Sequence, residues 1–203
     1  MKNNEIVITY HQKYCFIAQD SYLKVLRLTE EISKIEGSFR KSKKLSDEED
    51  RLIAEKWGTR NDYIVLTIVF SALSLEACIN NYAIERLSKR YLKNYLDKLN
   101  LVSKWIIIPQ IVTGQQLDPG SEPIQNLGWL VNQRNNLVHF KTKKVKSGQL
   151  KASDFLWPVQ AEKALDTVRI VVLALKKIDK TVNVDWLPSP ELSQYIKKQI
   201  ERI

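Results

Sequence analysis

The sequence predicts an all-α protein, an up-and-down helical bundle of four to five main helices with a short C-terminal helix. Apolar residues recur at intervals of three and four over most of the chain, as they do in amphipathic helices. Only 6 glycines and 6 prolines occur in 203 residues, which disfavours a turn-rich β protein. At 44% hydrophobic residues, a chain of this length can bury one core without metals or disulfides.

The first two helices are predicted from periodicity and end signals. Apolar positions spaced by three and four predict a helix over residues 9–36, which Gly37 should end. Residues 38–46 are rich in lysine and arginine and predict a solvated loop. Ser46, followed by three acidic residues, predicts a second helix start. We expect this second helix to be short and to end near Gly58.

Residues 60–90 are the most apolar segment and predict a central helix surrounded by the others. Glu76 and Asn80 interrupt it, one turn apart. A carboxylate in a buried helix is costly unless it meets a cation or several donors, so Glu76 needs a partner. Residues 91–113 predict a further helix that reaches Pro109, although helix and strand are hard to distinguish over residues 105–109.

Two more main helices follow. Residues 114–120 predict a loop, and Ser121 predicts the start of a helix over residues 121–140. Pro158 predicts the start of a helix that reaches about Asp179, with these side chains inward: Val159, Leu165, Val168, Val172 and Leu175. Residues 1–180 therefore predict a single helical-bundle domain. Residues 181–203 predict a linker and a tail helix with one apolar side: Leu192, Ile196, Ile200 and Ile203.

Composition narrows the compartment and the partners. Cys15 and Cys78 lie in apolar patterns and form neither a redox pair nor a disulfide framework, so we expect core thiols in a reducing compartment. No secretory signal and no apolar run long enough to span a bilayer is seen. We expect a cytoplasmic protein without a membrane partner. The net charge of +9 favours an anionic partner, nucleic acid before an acidic membrane surface.

Arg134 and His139, five residues apart, are the candidate chemistry of this chain. On a helical wheel of about 100° per residue, Arg134 falls within the apolar stripe formed by Leu127, Leu130, Val131, Leu137 and Val138. An arginine cannot lie unpaired in a core, so it must reach a carboxylate, a cleft or a second subunit. Glu76 is the best internal candidate.

A small polar ridge lies beside that stripe, at spacings of four, three and four: Gly128, Asn132, Asn135 and His139. The missing side chain at Gly128 leaves room for another backbone or a ligand. Arg134 and His139 are roughly 140° apart on the wheel. They converge either through the long arginine stem or across a dimer interface, and we favour the dimer.

A basic loop is predicted directly after His139. Its lysines are the candidate substrate-binding residues, which would hold phosphates on either side of a cleaved bond: Lys141, Lys143, Lys144 and Lys146. No set of cysteines and histidines has the spacing of metal ligands, so neither a metal nor another cofactor is expected.

The Arg-x4-His spacing, with Asn135 directly after the arginine late in a helix of an all-helical chain, resembles the HEPN superfamily of helical-bundle ribonucleases and nucleotide-binding proteins. The resemblance implies a homodimer in which two such motifs meet and cut single-stranded RNA without metal, as in toxins and defence nucleases. It makes Arg134, Asn135 and His139 the catalytic residues, supported by Glu76, Asn80, Gly128 and Asn132.

An antitoxin or another protein regulator is a further partner that the resemblance implies. In the toxin branch that a nucleotidyltransferase antitoxin inactivates, a tyrosine stands two residues after the histidine. Lys141 occupies that position here, which argues against this route of regulation.

Three hypotheses follow from the motif. The first is a metal-independent endoribonuclease, in which His139 moves a proton and Arg134 holds charge on the phosphate during attack by the 2′-OH. The second is a non-catalytic HEPN-like module that binds RNA or a nucleotide, or that dimerises. The third treats Glu76 and Arg134 as a core ion pair and nothing more.

Overall fold

All regular structure is helical in the part of the chain that the computed structural model describes, and no strand occurs there. The backbone is described for residues 9–42, 46–139 and 156–188, and the side chains for the same residues except 38–42. The predicted all-α class is confirmed. The tail helix predicted within residues 181–203 lies largely outside the described residues.

The two longest helices form an antiparallel hairpin. Helix α1 spans His11–Ser42 and α2 spans Asp47–Arg86, with 32 and 40 residues. Near the connection, Lys56 Nζ donates to Glu31 Oε2 at 2.7 Å. Far from it, Ser74 Oγ donates to the backbone oxygen of His11 at 2.8 Å. The two contacts fix the register of the hairpin over most of α1.

A capping box begins α2 at Ser46, the helix start that the sequence predicts. The N–H of Glu49 donates to Ser46 Oγ at 3.3 Å, and the N–H of Ser46 donates to Glu49 Oε2 at 2.9 Å. These bonds satisfy two donors that a helix start leaves free. The acidic residues of the first turn also stabilise the helix, because they interact favourably with the positive end of its dipole.

Neither Gly37 nor Gly58 ends a helix, so both predicted boundaries are wrong. Helix α1 continues to Ser42, and α2 is one helix where two were expected. A glycine inside a helix costs up to about 1 kcal/mol relative to alanine. The long hairpin packing of α1 against α2 outweighs that local cost.

Shorter elements follow α2. A single helical turn, α3, spans Lys89–Tyr91, a π-helical turn spans Leu92–Leu96, and α4 spans Leu101–Thr113. The helix expected to stop at Pro109 continues for another turn, because proline removes one backbone donor without unfolding a packed helix. It ends at Gly114, whose φ of 76° is the left-handed conformation that glycine adopts readily.

Helices α5, Glu122–Val138, and α6, Pro158–Ile178, complete the bundle. Helix α6 runs parallel to α2. At its start, the ring centroids of Trp157 and Trp57 are 6.3 Å apart, and at its end Asp179 Oδ2 accepts from the Tyr82 hydroxyl at 2.9 Å. Four of the five inward positions predicted for α6 are buried. Val159 is not: it is 64% exposed, because at about 100° per residue it lies on the opposite side of α6 from the other four.

The core contains both cysteines, as predicted. Cys15 and Cys78 are buried and free, and burial raises the pKa of each thiol to about 12. Both therefore stay protonated at neutral pH. Residues 181–188 also pack on the bundle through Val182 and Trp186, both of them buried.

In the described part of the chain, α2 alone is long and apolar enough to cross a bilayer. Half of its most apolar 18-residue window is buried inside the bundle. The core helix of a bundle meets the same criteria, so length and composition do not by themselves make α2 a membrane span.

Candidate functional site

The candidate residues lie at the C-terminal end of α5. Arg134 and Asn135 belong to its last two turns, and His139 is the first residue after it. The N–H of His139 donates to the backbone oxygen of Asn135 at 2.9 Å, which closes the helix two residues before the predicted end. Arg134 and Asn135 are partly buried and His139 is exposed, so all three reach solvent.

Arg134 pairs with Glu76, as the sequence predicts. Its Nη2 donates to Glu76 Oε2 at 3.1 Å, which joins α5 to the C-terminal part of α2. Its Nη1 donates to Asn135 Oδ1 at 3.0 Å. These contacts fix the guanidinium plane. A guanidinium has more N–H groups than these two bonds use, so Arg134 keeps donors for an anion.

The Glu76–Arg134 pair is partly exposed to solvent. The side chain of Arg134 is 26% exposed and that of Glu76 is 37% exposed. Water screens a pair in such a position, and pairs of this kind contribute about 1 kcal/mol or less to stability. The pair therefore positions the arginine more than it stabilises the fold.

His139 stands apart from the other two candidates. Its imidazole has no hydrogen-bond or ionic partner within the described residues. A cation at this point would interact favourably with the negative end of the α5 dipole. This is the usual structural role of a histidine at a helix end. Among the described residues, nothing pairs with the ring, which is exposed and accessible to a ligand or another chain.

Asn80 does not join this group. Its Oδ1 accepts from Lys104 Nζ at 3.1 Å, and Lys104 also lies 3.9 Å from Asp97. Lys104 is buried, 4% exposed. Sequence reasoning missed it, although a lysine inside the apolar run of α4 is the same signal that marked Glu76 in α2.

The polar ridge beside Arg134 faces open space. A Cβ placed on Gly128 would meet no atom within 4 Å, so no backbone of the described chain approaches it. Asn132 is exposed. Within the described part of the chain, the room that the sequence predicts at Gly128 is therefore present and is not filled by another backbone.

The four lysines of the predicted basic loop lie outside the described residues: Lys141, Lys143, Lys144 and Lys146. Their role in holding phosphates stays a prediction. Among the residues that are described, no cluster of histidine, cysteine, aspartate and glutamate is suited to hold a metal ion.

A groove of about 580 Å³ lies between the start of α5 and α6. Glu122 and Asn126 line it from α5, and Asp166 and Arg169 line it from α6. Arg134 is eight residues beyond Asn126, roughly 12 Å along the helix. The groove and the Arg134 group are therefore different sites.

Comparison with known proteins identifies no relative of this chain. No protein-family model matches the chain, and no curated protein or solved structure matches it significantly. The HEPN assignment thus stays a prediction, which depends on the Arg134 motif and on the helical class of the fold.

Proposed function

We propose that this protein is a metal-independent endoribonuclease of the HEPN type that cleaves single-stranded RNA and acts in the cytoplasm as a toxin or defence nuclease. The observation that carries the proposal is the placement of Arg134, Asn135 and His139 at one solvent-reaching end of α5. The Glu76 carboxylate fixes the arginine there. An arginine held in place and an exposed imidazole, at the same end of one helix, are groups that can act on a phosphodiester.

The reaction needs two proton transfers at one phosphorus atom. The 2′-oxygen of the ribose loses its proton and bonds to phosphorus, while the bond to the 5′-oxygen breaks and that oxygen gains a proton. One imidazole accepts the first proton and a second donates the other. The arginine holds the additional negative charge on the phosphate oxygens. The products carry a 2′,3′-cyclic phosphate and a free 5′-hydroxyl.

A single chain offers only one suitable imidazole, which supports a homodimer. The chain has two histidines, and the other, His11, is 9% exposed and packs edge-on against Trp186. A second copy of His139 supplies the missing group when two α5 ends meet across a two-fold axis. The roughly 140° between Arg134 and His139 on the helix favours the same arrangement.

A partly exposed apolar strip on α2 is the surface that we assign to this dimer. Leu66, Val69 and Leu73 lie on one face of α2 with Glu76, at about 100° per residue. None of the three is buried, and Leu66 is 38% exposed. Burial of such a strip favours association, and it leads directly to the Glu76–Arg134 pair.

The test is cleavage of a labelled single-stranded RNA by purified protein in EDTA, with the product ends identified. We expect 2′,3′-cyclic phosphate ends, and loss of cutting in Arg134→Ala and in His139→Ala. Asn136→Ala is the matched control, because Asn136 is exposed in the last turn of α5. Circular dichroism checks that each variant is folded. Cutting that survives both substitutions would refute the proposal.

One observation favours the alternative, a non-catalytic HEPN-like module that binds RNA or a nucleotide, or that dimerises. Glu76 already neutralises Arg134, which lowers its attraction for phosphate. A module of this kind binds RNA with strong salt dependence and releases no product in EDTA. Binding without cutting by the unchanged protein would select this alternative.

A further inference from the structure

Two tyrosines face solvent on the connection between α2 and α4. Tyr95 is 69% exposed and Tyr91 is 38% exposed. Their ring centroids lie 5.0 Å apart, with 50° between the ring planes. A tyrosine ring that is so exposed loses the favourable burial that an aromatic side chain normally has, so this pair is a candidate contact surface.

The backbone beneath these rings is firmly anchored. Leu92 and Leu96, the first and last residues of the π-helical turn, are 7% and 4% exposed. The N–H of Asp97 closes the turn on the backbone oxygen of Leu92 at 2.9 Å. Turns of this kind occur often at functional sites. Each leucine points inward from the residue next to a tyrosine, so core packing holds both rings outward.

The start of the connection is also unusual. Ser88 has a φ of 112°, in a region that side chains other than glycine rarely adopt. Its Oγ accepts from the N–H of Tyr91 at 3.2 Å, which caps α3. Strained residues persist where the surrounding structure holds them, and they concentrate at binding sites.

Exposed basic residues flank the two tyrosines in the sequence. We define the tyrosine patch as the two tyrosines and the four exposed basic residues beside them: Tyr91, Tyr95, Lys89, Arg90, Lys93 and Lys98. Asp97 is the one carboxylate within residues 88–98, and it lies 3.9 Å from Lys104 Nζ. The patch therefore combines two exposed aromatic rings with a net positive charge.

The patch also lies beyond the candidate site along α2. Glu76, which holds Arg134, is ten residues before the end of α2, roughly 15 Å along the axis. Asn80 is one turn after Glu76 and accepts from Lys104, and Lys104 is close to Asp97 of the connection. These contacts join α4 and the connection to α2, one turn beyond the Glu76–Arg134 pair.

We propose that the tyrosine patch binds single-stranded RNA, with Tyr91 and Tyr95 stacked on unpaired bases and the surrounding cations on phosphates. The proposal rests on RNA as the substrate of the proposed ribonuclease and adds a second contact with the strand. Stacking on exposed rings requires bases that are not paired, and the cations alone would not select them. A membrane or a protein surface would use the charges but would not require two aromatic rings in contact.

The experiment measures fluorescence anisotropy of a labelled 15-nucleotide single-stranded RNA in EDTA, with His139→Ala protein so that the RNA is not cut. We expect Tyr95→Ala to weaken binding at least about fivefold, because loss of stacking on one base has that effect or a larger one. Tyr95→Phe keeps the ring and should bind as well as the parent. Tyr10→Ala is the matched control, since Tyr10 is 49% exposed, directly before α1, and stacks on Tyr14.

Charge is tested on the same RNA over a series of salt concentrations. Lys93→Gln should weaken binding and lower the slope against salt, whereas Lys177→Gln, an exposed lysine at the end of α6, should change neither. A fully paired duplex of the same length should bind less tightly to the parent protein and should be insensitive to Tyr95→Ala.

The two proposals fail in different ways. Absence of RNA binding, or unchanged binding in Tyr95→Ala and Tyr91→Ala, overturns the tyrosine patch. Cutting that survives Arg134→Ala and His139→Ala overturns the ribonuclease and leaves the anisotropy result standing. Equal weakening by Tyr95→Phe and Tyr95→Ala also overturns the patch, because it would assign binding to the hydroxyl group and not to stacking.

Discussion

Arg60 is a buried charge, and two of its three guanidinium nitrogens have no acceptor among the described residues. It is 4% exposed and its Cζ lies 4.3 Å from the centroid of the Trp57 ring. Its Nε and Nη2 have no hydrogen-bond partner in the described part of the chain. Stacking on the indole recovers some of the cost of dehydration, but an unpaired buried cation remains unfavourable.

We therefore expect Arg60→Met to stabilise the protein. Methionine keeps much of the length and the apolar contact with Trp57 while the unpaired charge is removed, so the free energy of unfolding should rise by about 1 kcal/mol or more. Urea unfolding followed by circular dichroism measures it. Arg27→Met, at an exposed position of α1, should change it by less than about 0.5 kcal/mol. A lower stability in Arg60→Met would mean that an anion pairs with Arg60.

The candidate site illustrates what sequence can predict about single residues. Glu76 and Arg134 each interrupt an apolar helical face, and few residues could pair with either, so their contact was predictable. Asn80 was not, because an asparagine bonds equally well with many donors and Lys104 lies on a helix whose register against α2 no local pattern defines. The surroundings of Arg60 were not predictable either, because no local pattern defines which residues pack against it.

At the scale of the helices, end signals proved weaker than packing. Ser46 and its acidic neighbours marked a true start, because a capping box satisfies backbone donors locally. Gly37, Gly58 and Pro109 marked ends that do not exist. Each costs a helix on the order of 1 to 3 kcal/mol, which the burial of neighbouring apolar side chains exceeds.

The glycine inside α2 gives the corresponding prediction. Gly58→Ala should raise the free energy of unfolding by about 0.5 to 1 kcal/mol, because a Cβ there meets no atom within 4 Å and alanine favours the helix. The measurement is again urea unfolding. Gly114→Ala is the contrasting variant and should be destabilised, since Gly114 has a φ of 76°. Destabilisation by Gly58→Ala would indicate that α2 bends or is contacted there.

At the scale of the whole molecule, His11 couples the first helix to the last described segment. Its ring packs edge-on against Trp186, with centroids 4.9 Å apart, and its Nδ1 is buried without a hydrogen-bond partner among the described residues. Dehydration lowers the pKa of His11 below its ordinary value of 6.5, although Glu85 acts in the opposite direction. The folded protein therefore favours the neutral ring.

The consequence is a loss of stability in acid. Above pH 6.5 the ring is neutral in both states, and as the pH falls below 6.5 the unfolded chain takes up the proton first. We expect the melting temperature to fall more between pH 7.5 and 5 for the parent than for His11→Phe, which keeps an aromatic ring against Trp186. Phe16→Leu, at an exposed apolar position of α1, should follow the parent. Equal pH dependence in all three proteins would exclude this role for His11.

Association of two chains depends both on the sequence and on the faces that the folded monomer leaves exposed. The helical class followed from periodicity, but a periodic pattern cannot say which partly apolar face another molecule covers. On α2 that face contains Leu66, Val69 and Leu73, next to the pair that fixes Arg134. If two copies meet there, a charge in the strip should separate them, because burial of an unpaired carboxylate is costly.

We therefore expect Leu73→Glu to convert a dimer into a monomer in sedimentation velocity experiments, with the helical content unchanged. Ribonuclease activity should disappear with the dimer, because one chain supplies a single free imidazole. Leu23→Glu is the control: Leu23 is 44% exposed on α1, so a carboxylate there stays in water and should leave both dimer and activity intact. A Leu73→Glu monomer that still cuts RNA would show that one chain is enough, and the second proton-transfer group would then have to be sought within a single chain.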